Sequence, residues 1–575
     1  MIDVLAISAK SPLGDGEAAW SLGPVGATAA TCVRDDEIFR AAGMRKPWSA
    51  RASVSRRDDP AVTLLLAAWQ GLVRFVPRRA RVGLAVGTSS GGMAMSEQFF
   101  AARREGTVSK ALADAATYHA PFRALVDRVS EHADLVRSTH PVTACSASTI
   151  AIGLAMGWLE RDEVDYAIAG GYDALTVFVA AGFEALGATT NHPPPRPFRK
   201  ERDGMSLGEG AGLFLLARRD PSRPSREVLA RLLGFGARGD AVHLTAPDRA
   251  GGGLSRSAIA AMEGVDPSTI DLVSVHGTST PFNDPMEAKA IAAALGRSIG
   301  EVDVHAGKAS IGHTLGAAGV LETALAIDAV RRGVLPATAG EGELDDEVGG
   351  RPRTVNAEGR VRNVLKFSAA FGGANAALVI GMDREARPVA KHAVREVARV
   401  EVNETDDLDR ISAAAGVPRD RLARMDGVCR LALHAVAALA AEVGREKLAG
   451  AGIVLGTVLA TIDVNAVYDD NLRKKGAAFA EGRRFAYTTP NAAAGECAIA
   501  FGLTGPNVAV SRGVDAKIEA REIGRDLVTS GQAERVIVVE ADAGGPAARE
   551  IAQKTGWPVK FGGVARLIER AMPST

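Results

Sequence analysis

The sequence predicts a layered α/β fold built more than once along one chain, and three observations carry that prediction. Short β-branched or apolar runs ("VGLAVGT", "DYAIAGG", "LVSVHGT", "NVLKFSAA") alternate with Ala/Leu-rich segments of helical length. At 575 residues, the chain is several times longer than a typical domain of about 100 to 200 residues. Segments also recur: "RVGLAVGTSSGG" at 81 to 92 is echoed by "GAGIVLGTVLAT" at 450 to 461, which sets Gly87 and Gly456 369 residues apart.

The same offset takes "DYAIAGGYDA" (165 to 174) onto "ERVIVVEADA" (534 to 543) and pairs Asp173 with Asp542. Within one residue it also takes the apolar helix "AVTLLLAAWQGLV" (61 to 73) onto "CRLALHAVAALAA" (429 to 441). One offset serving three separated segments marks an internal repeat. The first unit runs to about residue 382. "MDREARPVAKHAV" (382 to 394) is charged and proline-bearing, as expected of a surface linker. The expected organisation is therefore a whole unit over 1–382, a linker over 383–393 and a second copy over 394–575, matched only to about 545. "RRDPSRPSRE" (218 to 227) and "GEGELDDEVGG" (340 to 350) read as surface loops.

Charge balances at 68 basic against 68 acidic residues, which removes any bulk attraction to nucleic acid or membrane. With 47% apolar and 24% charged residues, the composition is that of a soluble globular protein. The four cysteines, Cys32, Cys145, Cys429 and Cys497, have no paired spacing that suggests a zinc site or a disulfide framework. The N-terminus has no signal-like pattern, and no apolar run reaches the roughly 18 residues needed to span a bilayer. A cytoplasmic location is expected. "GTSSGG" (87 to 92) lacks a following lysine in phosphate-loop register and reads as a tight turn at a strand end.

Along the first unit, Cys145 in "HPVTACSAST" stands where a strand-like "PVTA" gives way to the helix "IAIGLAMGWLE". Free cysteine is more often a small buried hydrophobe than a nucleophile. At this junction, however, helix N-terminal N–H groups can stabilise a thiolate and leave the sulfur exposed. His276 ends an apolar strand in "DLVSVHGTSTPFND", and His313 precedes a Gly/Ala-rich helix in "GKASIGHTLGAAG". Each alone is more often structural; together with Cys145 they form a constellation of the cysteine-histidine type. The spacings are too long, and carboxylates too few beside them, to suggest a metal.

The segment from 1 to about 382 resembles a β-ketoacyl-acyl carrier protein synthase, a condensing enzyme of the thiolase fold. "TACSAS" around Cys145, "RPFRKERDGMSLGEGAG" (196 to 212), "HGTSTPFND" (276 to 284), "GKASIGHTLGAAG" (307 to 319) and "FGGANAALV" (371 to 379) carry the resemblance, in the family's order. The fold it implies is α/β, a duplicated layered α-β-α-β-α unit, followed here by a half-unit of the same fold. It implies that Cys145 accepts the acyl chain as a thioester while His276 and His313, as neutral imidazoles, bind the thioester oxygen of a malonyl extender. It also implies that Lys308 orders the site with Glu209 as its carboxylate partner. The N–H groups of Cys145 and Phe371 would form the oxyanion hole, and Phe371 would gate access of the extender. Its partner would be an acyl carrier protein presenting acyl and malonyl groups on phosphopantetheine. No cofactor and no metal are called for. Arg196, Arg199, Lys200 and Arg202 form a basic cluster that could dock that carrier or could be a solvated face.

Three positions depart from the family's pattern. Arg199 stands where Asp is common, "FSAA" replaces Asn-Ser-Phe-Gly before "FGG", and "AGK" replaces Ser-Thr-Lys. In the second copy the offset puts Val514 at the cysteine position, and no histidine follows His434. Catalysis by the copy is excluded on inventory. It resembles the N-terminal half of a chain-length factor, the inactive partner of type II polyketide systems. "YTTPNAAAGECAIAFGLTGPNVAV" (487 to 510) is similar to the family's dimer interface. An intramolecular pseudo-dimer follows, with further self-association open. The expected activity is decarboxylative condensation in polyketide or fatty acid synthesis. Acyl transfer to an alcohol or amine without decarboxylation, and a non-catalytic scaffold, are the alternatives.

Overall fold

A computed structural model describes residues 1–220, 222, 227–382, 391–405 and 407–571. Most of the expected linker 383–393, and residues 221 and 223–226 of the expected loop at 218 to 227, lie outside the described residues. Among the described residues, no helix is long and apolar enough to cross a membrane.

Among the described residues, three sheets of one design are each built around five main strands. The first contains β1 (Ile2–Ser11), β2 (Arg81–Gly87), β3 (Asp134–Thr139), β4 (Tyr166–Asp173) and β5 (Gly210–Arg218). The second contains β6 (Ala230–Gly239), β7 (Ile270–Ser274), β8 (Asp303–His305), β9 (Asn363–Ser368) and β10 (Ala374–Gly381). The third contains β11 (Val394–Val402), β12 (Gly452–Gly456), β13 (Asn507–Val510), β14 (Arg535–Asp542) and β15 (Gly562–Arg570). Their orders are β1-β5-β4-β2-β3, β6-β10-β9-β7-β8 and β11-β15-β14-β12-β13. Within each, the first two pairings are antiparallel and the last two parallel. The central parallel strands β2, β4, β12 and β14 are buried along nearly their whole length, which is why they read as continuous apolar runs.

Helices α1 (Ala147–Glu160) and α2 (Ala318–Arg332) pack on each other between the first two sheets as the middle layer. β1 also pairs antiparallel with β6, which joins those two sheets. The third sheet completes its fifth strand, so the sequence match that ends near 545 understates this half-unit. The helices Val177–Ala185 and Pro546–Thr555 still begin 369 residues apart, but Gly210 of β5 and Gly562 of β15 are only 352 apart. The missing stretch falls in the loop that in the first unit bears Arg196 to Arg202.

The third sheet meets the first through equivalent residues. Pro141 bridges Val510, its own counterpart at the repeat offset. Val142 N–H donates to the Ala509 carbonyl at 2.7 Å, and Ser511 N–H donates to the His140 carbonyl at 3.2 Å. Each bond is the other's image under the 369-residue offset, which is the mark of a local two-fold axis. One apolar core runs through the contact, with Phe99, Phe178 and Phe183 packed together with Tyr468, Phe485 and Leu503.

Candidate active site

The same turn appears three times, once for each sheet. Single 3-10 turns at Ala144–Ser146, Leu315–Ala317 and Gly513–Asp515 lead directly into α1, α2 and α4 (Ala516–Thr529). The first residue of each is left-handed, with φ of 48° at Ala144, 53° at Leu315 and 60° at Gly513. An L-residue pays roughly 1 to 2 kcal/mol for that conformation and glycine does not. Strained alanine and leucine therefore flank the chemistry, while the half-unit carries the relaxed residue. The central positions are Cys145, Gly316 and Val514.

Cys145 is buried, only 5% exposed, and burial pushes its thiol up to about 12, opposed by the Lys308 charge. The expected thiolate held open at a helix start is therefore corrected: in the resting protein the sulfur is an enclosed thiol, because loss of water outweighs the nearby positive charge. Cys145 and Phe371 line one cavity with Ser89, Met93, Phe178 and Phe183. Phe485, Thr488 and Thr489, from the half-unit, complete its wall. The Phe371 ring lies 5.5 Å from that of Phe183.

The rings of His276 and His313 meet edge to face at 5.3 Å. Both are held well below the ordinary imidazole value, by burial first and then by Lys308 and Lys366, so both stay neutral. Leu315 N–H donates to His313 Nδ1 at 3.2 Å, which leaves the ring proton on Nε2 as a donor. The backbone N–H groups of His276 and Gly277 both donate to the buried Glu287 carboxylate, the second at 2.8 Å. Asp284 fixes the adjoining loop by accepting from Ser279 N–H at 3.1 Å and Phe198 N–H at 2.9 Å.

Lys308 is buried, and its partner is Glu322 rather than Glu209: Nζ donates to Glu322 Oε1 at 2.5 Å. Glu209, at the start of β5, faces the N-terminal arm instead. It pairs with Arg56 and Arg51 and accepts from Ala52 N–H at 3.2 Å and Leu175 N–H at 3.0 Å. With two guanidinium groups already neutralising it there, Glu209 ties the arm to the turn after β4. A second buried lysine, Lys366, stands 2.7 Å from Glu322 Oε2 and donates to the Phe367 carbonyl and, at 3.2 Å, to Ser368 Oγ. Burial alone would raise the Glu322 carboxyl, but the two ammonium groups reverse this and hold it ionised. Sequence reasoning missed Glu322, Lys366 and Glu287; the one available signal was a lysine inside the apolar run "NVLKFSAA".

Three members of the basic cluster are paired with the loop at 340 to 350. Arg199 is buried and donates to the Gly342 carbonyl at 2.7 Å, Lys200 pairs with Glu343, and Arg202 pairs with Asp345 at 2.5 Å. These charges pin the acidic loop at 340 to 350; Arg199 is enclosed by that contact, whereas Lys200 stays exposed. Arg196 is half-buried, and its N–H donates to Ser279 Oγ at 2.8 Å. The turn at 87 to 92 is closed by Asp173, which accepts from Thr88 Oγ1 at 3.0 Å, Ser89 N–H at 2.8 Å and Gly316 N–H at 2.6 Å.

The family model for the beta-ketoacyl synthase N-terminal domain matches residues 50–222 and 383–538, and the model for the C-terminal domain matches 229–341. This chain belongs to the beta-ketoacyl synthase family. Its members are acyltransferase-type condensing enzymes, and the matches repeat the N-terminal domain without repeating the C-terminal one. A 3-oxoacyl-[acyl-carrier-protein] synthase 2 of Coxiella burnetii is 32% identical over 334 residues, which cover 54% of this chain and 78% of that protein. Matches to three further such synthases span 55% to 61% of their lengths. Among solved structures, the PfaC ketosynthase-chain length factor shares the fold across 100% of this chain and 79% of its own, at a TM-score of 0.78 and 16% identity. The Xenorhabdus doucetiae ketosynthase ApeO, in complex with its chain length factor ApeC, is 26% identical, covers 66% of this chain and 98% of its own, and has a TM-score of 0.53.

Proposed function

We propose that the first unit condenses an acyl thioester with a malonyl thioester presented on acyl carrier protein, and that the half-unit closes the acyl tunnel as an internal pseudo-dimer. In the first step the Cys145 sulfur bonds to the acyl carbonyl carbon. The carrier's thiolate leaves and takes up the proton that the cysteine loses. In the second step the malonyl group loses carbon dioxide and leaves an enolate, whose thioester oxygen accepts hydrogen bonds from His313 Nε2 and from His276. The enolate carbon then bonds to the acyl carbon, the bond to Cys145 breaks, and one proton restores the thiol. N–H groups of Cys145 and Phe371 would stabilise the oxyanion of both acyl transfers, each worth roughly 10² to 10³ in rate.

The observation that carries this reading is the pair of neutral, mutually oriented imidazoles beside the Lys308–Glu322–Lys366 cluster, whose Lys308 acts on both rings and on Cys145. Neutral imidazoles are donors to a developing enolate; imidazolium would instead protonate it. Simple transfer to an alcohol or amine has no use for two such donors. Labelled malonyl-carrier protein tests the assignment: wild-type protein should release carbon dioxide, and a His313→Ala variant should lose that release while still acylating Cys145. Support for the tunnel reading comes from Phe485, Thr488 and Thr489 on the wall of the Cys145 cavity. The Xenorhabdus ketosynthase is likewise solved with a separate chain length factor.

A further inference from the structure

The loop that bears Phe371 is held from the half-unit. Asn491 Nδ2 donates to the Phe371 carbonyl at 2.7 Å, and Asn507 Nδ2 donates to the Gly372 carbonyl at 3.1 Å. Both asparagines are fully buried. Gly372 is left-handed, with φ of 77°, and its N–H donates to the Leu244 carbonyl at 2.7 Å. Helix α3 (Ala492–Phe501) presses on the same spot, since a Cβ on Gly495 would lie 2.7 Å from the Gly372 Cα. Backbone therefore meets backbone at this contact, with two amides fixing successive carbonyls.

The repeat makes this contact informative. Asn507 corresponds to Ser138 of the first unit at the 369-residue offset, and Asn491, the residue before α3, corresponds to His119, the residue before the helix Ala120–Ser130. Ser138 Oγ accepts from Arg512 at 2.9 Å, and a Cβ on Gly513 would lie 2.7 Å from His119 Nε2, so both first-unit positions reach across the axis to the turn at Gly513–Asp515 and hold no Phe-Gly-Gly loop. The physical reason is that the gripped loop belongs to the second sheet of a unit, between β9 and β10. The half-unit has no such sheet and offers no loop to be gripped. The asparagines stand only on the side of the axis where a Phe-Gly-Gly loop exists to receive them.

We infer that the half-unit is a positioning element of the active site, in which Asn491 and Asn507 hold the Phe371–Gly373 loop so that the Phe371 N–H is aimed at the reacting carbonyl oxygen. This rests on the reading of Phe371 as an oxyanion donor. It gives the half-unit a task separate from shaping the tunnel, because neither asparagine lines the Cys145 cavity.

The test is an Asn491→Ala/Asn507→Ala double variant of the full chain, with amide hydrogen exchange over residues 369 to 374 and the acylation rate of Cys145 by acyl-carrier protein as readouts. Acylation should slow by about tenfold or more, the loop amides should exchange faster, and the remaining product should keep its wild-type length. The single variants Asn491→Ser and Asn507→Ser serve if the double variant does not fold, with the same effects in smaller degree. Wild-type acylation together with wild-type loop exchange would overturn the inference. If the wild-type protein itself leaves Cys145 unacylated, the proposed function fails instead, and loop exchange alone still decides whether the asparagines hold the loop.

Discussion

Helices α1 and α4 have the same length, the same left-handed turn before them and the same sheet beneath them, yet they end in opposite environments. α1 is buried over almost every residue, because α2 covers the face turned away from its sheet. α4 has no such cover, and its outer face is charged: Lys517, Arg521, Glu522 and Arg525 replace Ser148, Ile152, Gly153 and Met156. The turn follows suit, since Val514 is 46% exposed where Cys145 is 5% exposed. The buried aspartate shows how the change was accommodated. Asp173 takes one of its hydrogen bonds from Gly316 of the covering half; Asp542 keeps the equivalent bonds from Thr457 and Val458, and Lys517 Nζ, 3.0 Å away, stands in for the missing one. A half-unit can thus stand without its other half once the uncovered helix is made polar and the uncovered carboxylate is given a cation.

The largest expected effect breaks the resemblance at the turn. Cys145→Ala should abolish acylation and product formation, while Val514→Cys in that background should restore neither, because the second cysteine faces no histidine pair and no Phe-Gly-Gly loop. Intact-protein mass after incubation with acyl-carrier protein checks both. Next, Lys366→Met should slow condensation by about tenfold, of the order expected for one misplaced electrostatic group. It should also move the acid limb of the pH–rate profile upward. The sign follows from Lys366 holding both imidazole pKa values down: without it they rise, and protonation removes the neutral donors at a higher pH. The charged and titratable groups around those rings are Lys308, Lys366, Glu322 and Glu287.

How much of this was legible in the sequence depended on distance along the chain. Cys145, His276, Lys308 and His313 each sit in a local motif at an element boundary, so their positions could be read directly. Lys366 and Glu322 pair across two elements, and nothing near either residue reports the other. The same limit hid the pairing of Arg199, Lys200 and Arg202, whose partners lie about 140 residues on in the loop at 340 to 350. Glu209 was assigned to Lys308 because its true partners, Arg51 and Arg56, come from an arm without a motif. The three-sheet design was half visible: the repeat offset matched two strands and a helix of the half-unit, and shortening of the loop before β15 hid its last strand.

Two smaller effects sharpen the comparison from the half-unit's side. Phe485 packs against Gly182 and edge to face with Phe183 at 5.3 Å, so Phe485→Ala should open the tunnel and lengthen the product, as read by mass of the carrier-bound chain. Lys517→Met should leave the chemistry in place but strip Asp542 of its cation. Stability should fall by about 3 kcal/mol, measured by urea unfolding at neutral pH.

The central claim is that one competent site condenses while a half-unit with no chemistry of its own completes it. Loading the protein with acyl-carrier protein, adding malonyl-carrier protein, and following mass on Cys145 and on the carrier tests it most directly. The account predicts an acyl adduct on Cys145 that disappears as carbon dioxide and a carrier-bound β-ketoacyl product form in equal amounts. An adduct that passes to another acceptor without carbon dioxide release, or no adduct on Cys145 at all, would contradict it.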